Sequence, residues 1–237
     1  MNVACRGRVV GGVLALAMTA LIALGHPVAT MAQDTGEDQL QISDLDGVQA
    51  AVSRTYTVDF AALFSMDASP TPESEGPQLF ALGGAIVQFD NDDHAKSGYT
   101  TILDEVQKQA DTSTPEAVSF ETVDLGGDLG DERTALRMTG EDAGDIDGGD
   151  ILALVVRDGS TIYMFTGIAN TGDPSDALVA FAKVVMDGKA GNDAATFNED
   201  GTSTGGLWDK FPAVDDPVVA GLPSVIDSDP MTDDSGE

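Results

Sequence analysis

Few side chains in this sequence can do chemistry. The one cysteine is Cys5, and the two histidines are His26 and His94. Residues 201–205, Gly-Thr-Ser-Thr-Gly, match the G-x-S-x-G spacing of serine hydrolases. That chemistry needs Ser203 on a strand-to-helix elbow, with a general base and oxyanion donors beside it. Here the motif follows Asn198-Glu199-Asp200 in a stretch of Gly, Asp, Thr and Ser. It reads as a linker. His94 lies far upstream next to Asp92 and Asp93. One imidazole with two carboxylates could contribute to a transition-metal site, but no second imidazole or thiolate accompanies them. A polar helix start accounts for the same residues.

Carboxylates are the remaining resource. Asp142, Asp145, Asp147 and Asp150, in EDAGDIDGGD, could surround a hard cation with oxygens. The spacing departs from the EF-hand rule: the glycine is displaced and no glutamate closes the loop. A solvated approach to the following hairpin is the expectation there, with low-affinity calcium binding as the alternative and Asp44 and Asp46, or Asp90, Asp92 and Asp93, as lesser candidates. No other cofactor is expected. GGDLGDER (126–133) has the glycines of a phosphate loop but lacks its Lys-Ser/Thr ending, and Asp128 and Asp131 would repel phosphate. Paired acids for glycoside hydrolysis can be drawn almost anywhere among 41 acidic residues, so no pair stands out.

The ends of the chain set the compartment. Residues 1–32 have the form of a secretory signal: Arg6 and Arg8, an apolar run from Val9 to Leu24, and a small-residue exit at Thr30-Met31-Ala32. Its apolar run is broken by glycines and is short for a membrane span, so cleavage is expected over retention as an anchor. Cys5 and His26 leave with it, and stability cannot rest on disulfides. The formal charge is −30, and loss of Arg6 and Arg8 makes it two units more negative. Such a chain repels nucleic acid and anionic lipid, so neither is an expected partner. The acids are spread throughout, which suits a solvated surface or adaptation to high salt.

The elements follow from periodicity. Residues 33–44 read as a disordered acidic leader. Val48, Ala50, Val52, Tyr56 and Val58 share one parity in a strand over 48–58. Residues 60–66 read as a short helical turn and 67–78 as a loop. A second strand covers 79–89, with Gly83-Gly84 as an expected bulge or bend. Ala95, Tyr99, Ile102, Leu103, Val106 and Ala110 then form a helical stripe. Strands are expected over 118–123 and 133–139. The clearest hairpin is ILALVVR, Asp158-Gly159, STIYMF. Asp173-Pro174 starts a second helix whose stripe is Leu178, Phe181, Ala182 and Val185, and Gly188 stops it. The runs 85–106 and 161–185 resemble each other as strand, acidic cap and amphipathic helix. A duplication of that unit would place both helices on one face of the sheet.

Residues 191–237 read as an acidic low-complexity tail interrupted by an apolar segment, 207–222. Leu207, Trp208 and Phe211 lead that segment. Two roles are open to it: packing back onto the domain, or docking an unknown partner protein.

The ordered pieces VQFDNDDHAKSGYTTILDEV, VDLGGDLGDERTALRM and ALVVRDGSTIYMFTG, with the final helix, carry a resemblance over about residues 79–188. The chain resembles uncharacterised exported bacterial proteins with a small sensor-like α+β domain. The resemblance implies a secreted, non-enzymatic domain and brings no catalytic residue with it. The expected architecture is one α+β domain over 45–190, with an antiparallel sheet of about six strands and two main helices on one face. The expected function is a secreted binding or sensing module for a small molecule or partner protein. A carboxylate-based secreted hydrolase and an acidic structural surface protein are the alternatives.

Overall fold

The computed structural model describes residues 40–58, 77–113, 118–140, 150–197 and 203–228. In chain order its main elements are β1 (Val48–Thr57), β2 (Gln78–Phe89), α1 (Asp92–Ser113), β3 (Val118–Val123), β4 (Glu132–Gly140), β5 (Asp150–Asp158), β6 (Thr161–Thr171), α2 (Ser175–Asp187), β7 (Thr196–Phe197), β8 (Ser203–Thr204) and β9 (Ser224–Ser228). Seven strands form one antiparallel sheet in the order β3-β4-β5-β6-β2-β1-β9, and β7 pairs with β8 apart from it. The expected helical turn at 60–66 and loop at 67–78 fall almost wholly outside the described residues, as do Asp142, Asp145 and Asp147.

The helices cover opposite faces. Side chains alternate across a strand, so neighbouring residues report opposite sides of the sheet. Leu82 and Ile86 of β2, Leu152, Leu154 and Val156 of β5, and Tyr163 and Phe165 of β6 cluster with Leu178, Phe181, Ala182 and Val185 of α2. Ala85, Val87 and Phe89 of β2, Val155 of β5, and Ile162 and Met164 of β6 cluster instead with Ala95, Tyr99 and Ile102 of α1. This corrects the one-face arrangement expected from a strand–helix duplication. It also explains why β2 and β6 are buried over nearly their whole length. The central strands have no open face.

Two segments at the ends of the fold complete the layers. Ile42, 2% exposed, packs with the α1 cluster, so the fold starts inside the expected leader. The tail is not a separate low-complexity region. From Ser203 to Ser228 it forms a strap whose Trp208, Phe211, Val219 and Leu222 join the α2 cluster, and whose last strand, β9, pairs with residues 53–57 of β1. That strand is the seventh in the sheet.

Local chemistry fixes the junctions. The Asn91 side chain accepts from the His94 amide at 2.9 Å and caps α1, with Asp92 and Asp93 in its first turn. The β5–β6 turn falls at Gly159-Ser160, one residue later than expected, and Gly159 takes φ +55°. Asp173 Oδ1 accepts from the Ser175 amide at 2.8 Å at the start of α2. At the other end of α2, Lys210 of the strap donates to Gly188 O at 2.5 Å and Met186 O at 3.1 Å. Burial lowers the Lys210 pKa, against the pull of Asp158 and Asp187. Gly83 and Gly84 are not a bulge. They stay in register with Thr166 and Phe165.

Candidate functional site

The β3–β4 connection lies on the α2 side of the sheet. After β3 the chain turns through 124–131 before entering β4. Leu129, 3% exposed, anchors this turn in the α2 cluster, and Val123 and Leu125 pack against it. Between the turn and the strands lies a cleft of about 210 Å³. Val123, Leu125, Ala135 and Leu154 supply its apolar lining, and Thr122, Asp124, Arg133 and Thr134 its polar lining.

Two cations approach Gly127, in the turn that borders the cleft. The Arg133 guanidinium donates to Gly127 O, and its nearest carboxylate, on the 87% exposed Asp124, stays 3.9 Å away. The Lys183 ammonium of α2 comes to the same glycine: a Cβ on Gly127 would lie 3.8 Å from Lys183 Nζ. Gly126 and Gly127 both have positive φ, a conformation that glycine adopts at no steric cost. The other arginines among the described residues are held more tightly. Arg54 pairs with Asp227, Arg137 with Asp173, and Arg157 with Asp131 and Glu132. Nothing in composition or motif marked Arg133 and Lys183, because their meeting depends on the path of the 124–131 turn beneath α2.

The residues singled out from sequence are placed as follows. Trp208 is 1% exposed and Phe211 6% exposed, both in the chain's own core, and Leu207 packs partly buried beside them. Of the two roles open to this segment, the structure places these side chains in the first, packed on the domain. Their rings also sit under a cation: Arg54 Cζ lies 5.5 Å from the Trp208 ring centre and 5.7 Å from that of Phe211. Asp150 begins β5, with its Oδ2 3.9 Å from Arg137 Nε. Among the described residues no group of His, Cys, Asp and Glu side chains is arranged to hold a metal.

Ser203 is 1% exposed, and its hydroxyl has no hydrogen-bond partner. Its amide donates to Asp227 Oδ2 at 2.5 Å, and its carbonyl accepts from Arg54 Nη2 at 2.6 Å. Asp227 is therefore engaged with Arg54 and the Ser203 backbone, not with the Ser203 hydroxyl. His94 binds Asp90 Oδ1 at 2.6 Å beside Gly47. Gly47 and Arg54 are separated by roughly 20 Å of strand at the usual rise per residue. Ser203 thus anchors its segment to β1 through its backbone.

No family model and no curated protein matches the chain. Among solved structures, the extracellular domain of PknH from Mycobacterium tuberculosis is similar at 15% identity and a TM-score of 0.30, over 43% of this chain. The chain matches 53% of that domain's length, about half of it. An overlap of that size transfers neither fold nor function.

Proposed function

We propose that this protein is an extracytoplasmic, non-enzymatic binding domain whose ligand enters the β3–β4 cleft. The observation that carries the reading is an apolar hollow, lined by Val123, Leu125, Ala135 and Leu154, with Arg133 among its lining residues. A small number of polar groups on an apolar lining is the usual form of a ligand site. The signal-like pattern of residues 1–32 supports the location. The packing of Ser203 against Asp227 and Arg54 supports binding over hydrolysis.

The test is a fragment screen on residues 33–237, read by methyl NMR. Fragments that bind should shift the methyls of Val123, Leu125, Ala135 and Leu154 first. Hits scattered over the surface would remove the cleft from consideration. Turnover of an ester substrate that disappears in Ser203→Ala would replace binding with catalysis. Mass spectrometry of the exported product should find its N-terminus at Gln33.

A further inference from the structure

We propose that the ligand of this cleft is an amphiphilic acid: a small molecule with an apolar body and one carboxylate, the body on Val123 and Leu125 and the carboxylate on Arg133, with Lys183 adding positive charge beside the same turn. The inference rests on the binding reading above and narrows its ligand class.

The chain carries −30 formal charges, and an approaching anion is repelled by most of its surface. Two cations converging on one glycine is therefore a local exception. Arg133 and Lys183 come from separate elements, β4 and α2, so sequence proximity does not force them together. Each keeps donors for a ligand. Arg133 uses one Nη on Gly127 O, and its other Nη is 3.9 Å from Asp124, beyond hydrogen-bond length. Lys183 forms no ion pair among the described residues. Asp124 competes for the guanidinium, but at 87% exposure it is solvated and can turn away. Val123, Leu125, Ala135 and Leu154 in the lining offer nothing to a second charge. A ligand charged at one end only satisfies both parts of the site, whereas a polyanion would meet Asp124 and Asp128 as well as the cations.

Octanoate and 1-octanol test this, because they share an apolar chain and differ in charge. Octanoate should shift the Val123, Leu125 and Leu154 methyls at about tenfold lower concentration than octanol, the gain expected of charge-assisted hydrogen bonds. In the Arg133→Gln/Lys183→Gln double variant the two probes should become equivalent, while octanol binds as before. Octanol matching octanoate on the native protein would overturn the acid and leave the cleft. Silence of both probes at these methyls would overturn the acid and cleft together. Octanoate acting at other residues would move the anion site away from Arg133 and Lys183.

Discussion

Arg54 and Asp227 are 173 positions apart in sequence and directly opposite each other in the sheet, with Nε to Oδ1 at 2.6 Å and Nη2 to Oδ2 at 2.7 Å. The bidentate pair is nearly sealed from water, at 10% and 1% side-chain exposure. Burial alone would make the guanidinium easier to deprotonate, but Asp227 reverses this and raises its pKa. The same two side chains hold the Ser203 backbone by its amide and its carbonyl. One ion pair thus pins both ends of the strap to β1.

Removing one partner leaves a buried charge without its counterion. Asp227→Ala should destabilise the domain by about 3–5 kcal/mol in urea unfolding, and Arg54→Met similarly. The double variant Arg54→Met/Asp227→Leu should recover part of that loss, since it leaves no orphan charge. Hydrogen exchange in Asp227→Ala should rise first at residues 203–228. A loss of protection spread evenly over α1 and β5 would refute the pinning role.

Trp208 is the sole tryptophan of the chain, so its fluorescence reads the strap directly. Native emission should be blue-shifted, and quenching by iodide should be slight. Trp208→Ala and Phe211→Ala should each cost roughly 3–5 kcal/mol, the usual range for a deleted core aromatic. A chain ending at Gly188 would uncover Tyr56, Leu82 and Phe181 and should not fold cooperatively. A sharp thermal transition of native midpoint from that truncated chain would show that the strap is dispensable.

The parts of this fold that follow a simple period were legible in the sequence. The β5–β6 hairpin alternates, and Leu178, Phe181, Ala182 and Val185 fall one helical turn apart, as observed. The strap follows no such period. Leu207 and Trp208 ride a short 3-10 turn, Val219 another, and prolines at 212, 217 and 223 break any repeat between them. Helix stripes identify an inward side but not which face of the sheet receives it, so the two-sided cover had to come from the structure. Its trace was that both parities of β2 over 79–87 and of β6 over 162–165 are apolar or glycine, which one-sided burial does not require. Arg54 left another trace: it interrupts the parity shared by Val52 and Tyr56, where a charge needs a buried partner. Asp227 could not be picked as that partner from among 41 acids.

Gly84 shows how closely the α2 face is packed. It lies beneath three rings, and a Cβ there would come within 2.9 Å of Phe211 and 3.2 Å of Phe181. Both rings are themselves held, Phe181 edge-on to Tyr56 and Phe165 with centroids at 5.7 and 5.9 Å, and Phe211 against Trp208 at 6.2 Å. Gly84→Ala should therefore destabilise by about 1–3 kcal/mol through overpacking, and Gly84→Val by more. Gly126→Ala has open space around its Cβ and should act only through its positive φ. Thermal melts of the three variants give the ranking directly, and equal midpoints for Gly84→Ala and the native chain would mean that the strap yields.

Acid should loosen the entry to α2. Burial favours the neutral form of Asp173, but hydrogen bonds from Ser175 and the nearby Arg137 outweigh it and lower the pKa below 3.8. The folded state thus binds this proton less readily than the unfolded chain does. The stabilisation is complete above pH 3.8 and disappears as pH falls through the lower folded value. Asp173 is half exposed, so the effect on the whole domain is modest and screened by salt. Asp173→Asn should flatten the stability profile below pH 3.8 relative to the native chain while leaving its shape at neutral pH unchanged. The same substitution in an Arg137→Gln background should alter the acid limb less, because part of the pKa shift has already been removed. Parallel acid limbs in native and Asp173→Asn proteins would place the acid-sensitive contact elsewhere.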